Sequence, residues 1–175
     1  GASLGGMIAQ QYALDYDRAA SLSLLCTTPG GDEALPIPEE TLEQMFDVPE
    51  GADERGTVRH RMRPALTDDF FEENPETIER IVDWRLEQDA GEVARESQGA
   101  AGVNFDVSDR VGRVDVPTLI VHGTADRVVP VENGELLAEK IAGARFEPIE
   151  GAPHLLMIEN SERVNDLLTD FLDGL

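Results

Sequence analysis

The sequence predicts an α/β fold: a mainly parallel sheet flanked by helices and interrupted by a helical insertion. Three observations predict it. Short apolar runs at 21–28, 114–121 and 145–149 read as buried strands, with helical patterns over 131–142 and 161–172 alternating with the last two. The first seven residues, Gly1-Ala2-Ser3-Leu4-Gly5-Gly6-Met7, set Gly-x-Ser-x-Gly at the head of a helical pattern, the spacing of a sharp strand-to-helix turn. Residues 31–109, entered through Pro29-Gly30-Gly31 and Pro36-Ile37-Pro38, carry helical periodicity only. The body is therefore 1–30 plus 110–175, and the cap is 31–109.

Each element follows from its local pattern. After Ser3, the residues Met7, Ile8, Tyr12 and Ala13 recur at helical spacing, predicting a helix over 4–19. The strand that such a turn follows is expected before residue 1. Gly1 and Gly5 are expected to be small because a strained turn leaves no room for a Cβ. The strand over 21–28 holds Cys26, read as a small core residue. A single cysteine excludes an internal disulfide and a cysteine-based zinc site. The insertion predicts four helices, at about 38–47, 53–65, 74–89 and 91–103. Asn74-Pro75 marks the start of the third, with Asn as N-cap and Pro at the first helical position. Ile78, Ile81, Val82 and Leu86 give that helix an apolar face, with Trp84 beside it. The final helix starts at Asn160-Ser161 and aligns Val164, Leu167, Leu168, Phe171 and Leu172. No repeat or low-complexity segment appears.

Charge narrows the function. There are 36 acidic residues against 14 basic ones, and Lys140 is the sole lysine. The acids are spread along helical segments, as in salt-adapted, halophile-type proteins whose carboxylates keep the surface hydrated. The insertion carries 22 acids and 7 bases, the body 14 and 7, so the excess rides on the insertion. A net charge of −22 excludes nucleic acid and anionic membrane as partners. Apolar stretches fall far below the roughly 18 residues of a membrane span. A cytoplasmic location is the expectation; a signal peptide upstream of Gly1 stays open.

A serine hydroxyl needs a histidine to take its proton and a carboxylate to fix that histidine's tautomer. Three histidines are available. His154, in Gly151-Ala152-Pro153-His154-Leu155, lies between a strand and a helix, where a side chain can project over a sheet edge. The other reading of His154 is a loop residue capping the next helix. His122 ends the run Thr118-Leu119-Ile120-Val121 and reads as packed at a strand terminus, and His60, among arginines, as surface. Asp126, in His122-Gly123-Thr124-Ala125-Asp126, follows the same strand, at the edge where open α/β sheets place their chemistry. On its own it also reads as a turn aspartate.

These segments together resemble the α/β-hydrolase superfamily, in its esterase, enol-lactonase and haloperoxidase-like group. The matching stretches are GASLGGM, SLSLLCTTPGG, PTLIVHGTADRVVP and EGAPHLLMIENSERVNDLLTDFL, with 32–105 matching only as a cap. The resemblance covers the C-terminal two-thirds of that fold. It implies Ser3 as nucleophile, Asp126 as acid and His154 as base, in the chain order Ser, Asp, His. It also implies an oxyanion hole built from the Leu4 backbone N–H and a second N–H upstream of Gly1. Losing one such donor costs on the order of 100- to 1,000-fold in turnover, so the chain by itself is expected to be impaired.

The expected activity is acyl transfer to water from an ester, lactone or related carbonyl substrate. Carbon–carbon bond hydrolase, perhydrolase and acyltransferase chemistries share the triad and stay open, as do a non-catalytic binding shell and an inactive fragment. Met45, Phe46, Phe70 and Trp84 are candidates for the acyl pocket, or for the insertion's own core. No cofactor and no metal are expected. The expected partners are a small-molecule substrate and a completing N-terminal half or another chain. The elbow helix and final helix should otherwise show bare apolar faces, with poor solubility as a consequence.

Overall fold

The computed structural model describes residues 1–88 and 91–175. The run Thr118-Leu119-Ile120-Val121-His122-Gly123 is apolar enough to be covered on both faces, and it forms the central strand β2 (Thr118–Gly123), buried at all six positions. β1 (Leu22–Leu25) and β3 (Arg145–Ile149) flank it, all parallel, in the order β1-β2-β3. Residues 1–3 extend the sheet beyond β1. Ala2 bridges to Leu25, and the Ser3 N–H donates to the Leu25 carbonyl at 2.9 Å. One row of residues thus crosses the sheet: Ala2, Leu25, Val121 and Glu147.

Successive strand residues face opposite sides. Leu24 and Ile120 join a core closed by Ala9, Ala13 and Leu14 of α1 (Leu4–Asp15) and Leu137 of α7 (Glu132–Lys140). Leu25, Leu119 and Val121 pack on the other face against Leu156 of α8 (Leu156–Glu159) and Val164 and Leu167 of α9 (Ser161–Asp173). The outer stripe of α1 is bare as expected: Ile8, Tyr12 and Tyr16 are exposed, as is Leu172 on α9.

Between β1 and β2 come α2 (Glu39–Phe46), α3 (Glu54–Met62), a 3-10 turn (Arg63–Ala65), α4 (Asp68–Glu73), α5 (Pro75–Glu87) and α6 (Glu92–Val103). Met62, Leu66, Phe71, Ile78, Ile81 and Val82 give them a core of their own. No described helix is long and apolar enough to cross a membrane.

The structure departs from expectation at element ends. α1 stops at Asp15 rather than 19, because Tyr16 turns to extended backbone. β1 stops at Leu25, because Cys26 takes the left-handed region at φ 46°. β2 begins at Thr118, since Val111–Arg113 form a 3-10 turn and Val114 is buried outside the strand. α4 was not foreseen: six residues of Asp-Asp-Phe-Phe-Glu-Glu are too short to show periodicity, and the Thr67 hydroxyl caps them at Phe70 N–H. Asn74 stands at the α5 N-cap position without capping it; its amide donates to the Phe70 carbonyl at 3.1 Å and closes α4 instead. Residue 89, the end of the helix expected over 74–89, lies outside the described residues.

Candidate active site

Ser3 sits where the chain turns from the sheet edge into α1, at φ 50° and ψ −123°. A non-glycine residue with positive φ costs about 1–3 kcal/mol and persists only where neighbours hold it. Ser3 N–H is held by Leu25, and the Ser3 carbonyl accepts the Thr27 hydroxyl at 2.8 Å. A Cβ on Gly1 would lie 2.1 Å from the Gly5 carbonyl oxygen, so the first small residue is required. Gly5 is a correction, because a Cβ there meets nothing within 4 Å. The tight position is Gly6, whose Cβ would lie 2.7 Å from the Thr27 side chain. Leu4 is the first residue of α1, and its N–H has no helical carbonyl a turn behind it to receive it.

β2 runs into the turn that carries Asp126, and β3 into the loop that carries His154. His154 Nδ1–H donates to Asp126 Oδ2 at 2.7 Å, with the Asp126 side chain fully buried. Asp126 Oδ1 accepts the N–H groups of Val128 and Val129, each at 2.8 Å. Burial opposes the carboxylate's charge, but hydrogen bonds from His122, His154 and the Val129 N–H outweigh it and hold its carboxyl well below the usual range. Because a carboxylate only accepts, Nδ1 carries a ring proton, the tautomer that leaves the lone pair of a neutral ring on Nε2. Ser3 occupies the same sheet edge. Its hydroxyl makes no hydrogen bond to His154 in this arrangement, a contact that commonly tightens only with substrate in place.

Two neighbours of Asp126 escaped the sequence reading. His122 is completely buried; its Nε2–H donates to the Val129 carbonyl at 2.9 Å and lies 3.4 Å from Asp126 Oδ2. Gly134 of α7 leaves room for the ring, since a Cβ there would lie 2.6 Å from His122 Nδ1. Cys26 lies beside the same carboxylate. Burial pushes its thiol up, and the charge on Asp126 adds to this. The donor atoms of Cys26, His122 and Asp126 lie within 4.8 Å of one another, the spacing of a metal site. A metal ligand would need a thiolate, which this environment opposes. The available signal was the four-residue interval from His122 to Asp126 at the end of a buried strand. His60, read as surface, is half-buried.

The helical insertion is fastened to both loops. Leu155 N–H, next to His154, donates to the Ala65 carbonyl at 2.8 Å. The Arg127 guanidinium, next to Asp126, donates to the Leu66 carbonyl at 2.8 Å, and the Thr41 hydroxyl donates to the Arg127 carbonyl at 2.8 Å. The four pocket candidates separate. Phe70 packs on the insertion's core, Met45 is half-buried on α2, and Phe46 is exposed beneath the Arg61 guanidinium. Trp84 lines a cleft of about 730 Å³ among α3, α5, α6 and α8.

The alpha/beta hydrolase family model matches residues 1–167, and the chain belongs to that family. It is 33% identical over 153 residues to a putative non-heme chloroperoxidase of Synechocystis, covering 78% of this chain and 55% of that protein. Among solved structures it is similar to a thermophilic esterase from Thermogutta terrifontis, with TM-score 0.71 and 31% identity over 99% of this chain and 63% of that one. It is also similar to a hydrolase from Pseudomonas aeruginosa, with TM-score 0.76 and 26% identity over 98% of this chain and 63% of that one. The chain spans little more than half the length of the curated relatives it matches.

Proposed function

We propose that the protein is a serine hydrolase that cleaves an ester, lactone or related carbonyl substrate through Ser3, His154 and Asp126. The observation that carries this reading is the buried Asp126–His154 hydrogen bond on the same sheet edge as a serine held at positive φ. The likeness to an esterase and a chloroperoxidase supports the chemistry class.

In this mechanism His154 Nε2 takes the Ser3 proton while Ser3 Oγ attacks the carbonyl carbon. Asp126 steadies the imidazolium that forms without itself taking the proton. The Leu4 N–H, aided by the N-terminal end of α1, faces the developing oxyanion. His154 then protonates the leaving group. Water attacks the acyl-enzyme by the same route and frees Ser3.

The test is steady-state hydrolysis of p-nitrophenyl butyrate in molar KCl by the wild type and Ser3→Ala. The expected result is a loss of at least about 1,000-fold in kcat with an unchanged melting temperature. Equal rates in the two proteins overturn the reading.

A further inference from the structure

The insertion is the most acidic part of the chain, yet arginines line its one large described cleft. On α3 and the turn after it, Arg55, Arg59 and Arg63 form a stripe at four-residue spacing, and each meets carboxylates. Arg55 pairs with Glu79 and Asp83, Arg59 with Glu79, and Arg63 with Asp68 and Glu72. Arg61, whose guanidinium lies over the Phe46 ring, and Arg85 of α5 both line the cleft. Neither has a carboxylate within ion-pair distance among the described residues, although acids outnumber bases 22 to 7 in this segment. Arg85 is exposed at its outer side, and partial burial lowers its pKa. Among the described residues, Arg95 and Glu54 also line the cleft.

Val58, Ile81, Leu86 and Ile158 form the apolar part of the wall, beside Trp84. A volume of about 730 Å³ is within the range of a small-molecule site, and seven of the twelve lining residues are polar or charged, with one apolar wall. Ile158 belongs to α8, which begins two residues after His154.

We infer that this cleft is a binding site for an amphipathic carboxylate, its apolar chain against the Ile81 and Ile158 wall and its anionic end on Arg85 and Arg61. A guanidinium recognises a carboxylate through paired N–H donors, which suits a fixed anion better than a mobile one. On the hydrolase reading above, on which this consequence rests, the preferred ester carries a free carboxylate at the far end of its acyl chain.

Trp84 is the chain's single tryptophan, so its fluorescence reports the cleft directly, without catalysis. Hexanoate and hexanamide are titrated into the protein in molar KCl, in the Ser3→Ala background. Hexanoate is expected to shift the emission saturably, with at least tenfold tighter apparent binding than hexanamide. Arg85→Gln is expected to erase that preference, and Arg61→Gln to weaken it, while Arg18→Gln, outside the cleft, leaves it intact. In the wild type, a p-nitrophenyl ester of adipic acid is expected to show a tenfold lower KM than p-nitrophenyl hexanoate. Arg85→Gln should remove the difference with kcat within about twofold. Equal binding of acid and amide, or a preference that survives both arginine substitutions, overturns the site. Charge-selective binding without hydrolysis of either ester upholds the site and sinks the hydrolase reading.

Discussion

The strand-end loops and the helical insertion hold their charged groups in opposite ways. At the sheet edge, Asp126 is buried and spends its oxygens on two backbone N–H groups and His154. In the insertion, Arg55, Glu79 and Asp83 are about half exposed and pair with one another, Glu79 also taking Arg59. The first arrangement fixes one geometry, because every bond is shielded from water and ties the side chain to strand-anchored backbone. The second is screened and replaceable. In the proposed mechanism the sheet edge sets the atoms for chemistry, and the insertion is tied to it at Ala65 and Leu66.

The strongest way to break this comparison is Asp126→Asn. With the wrong tautomer at His154, kcat is expected to fall about 10,000-fold. The same variant should alter acid stability. Because the folded carboxyl lies below its unfolded value of about 3.9, its stabilisation is complete above about pH 5 and drains away as pH falls towards the folded value. Thermal unfolding at pH 4 and pH 2 checks this: Asp126→Asn should lose less stability over that interval than the wild type.

The turn at Ser3 supplies a smaller, sharper contrast. Gly6→Ala drives a methyl group into Thr27 and is expected to destabilise by about 1–3 kcal/mol in urea unfolding. Gly5→Ala meets open space in a helix and is expected to stabilise by up to about 1 kcal/mol. Equal effects at the two positions would show that the turn does not depend on its approach to Thr27. The smallest effect belongs to the insertion's surface. Glu79→Gln should lower the melting temperature only slightly at low salt and not measurably in molar KCl.

The parts legible in the sequence are those where one physical signal acts alone. The unbroken apolar run of β2, the Gly-x-Ser-x-Gly spacing and the α9 stripe each appear where they were expected, within a few residues. What was missed needed tertiary contacts. Six residues of α4 hold no period, and Asn74 serves the helix before it rather than the one it begins. His122 looked like strand packing because nothing local reveals that its ring reaches Val129 and Asp126. Gly5 and Gly6 are adjacent and chemically identical; only the position of Thr27, across the turn, tells which one is required. The pocket candidates separate for a similar reason, since which face of an insertion helix Phe46, Phe70 and Trp84 occupy depends on packing rather than spacing.

The most direct test of the account is intact-mass detection of fluorophosphonate labelling in molar KCl, on the wild type, Ser3→Ala and His154→Ala. The account predicts one adduct per chain on the wild type, none on Ser3→Ala, and labelling slowed at least 1,000-fold on His154→Ala, in line with the loss of a triad base. An adduct that persists in Ser3→Ala, or a wild type that never labels, would contradict the claim that Ser3 is an activated nucleophile.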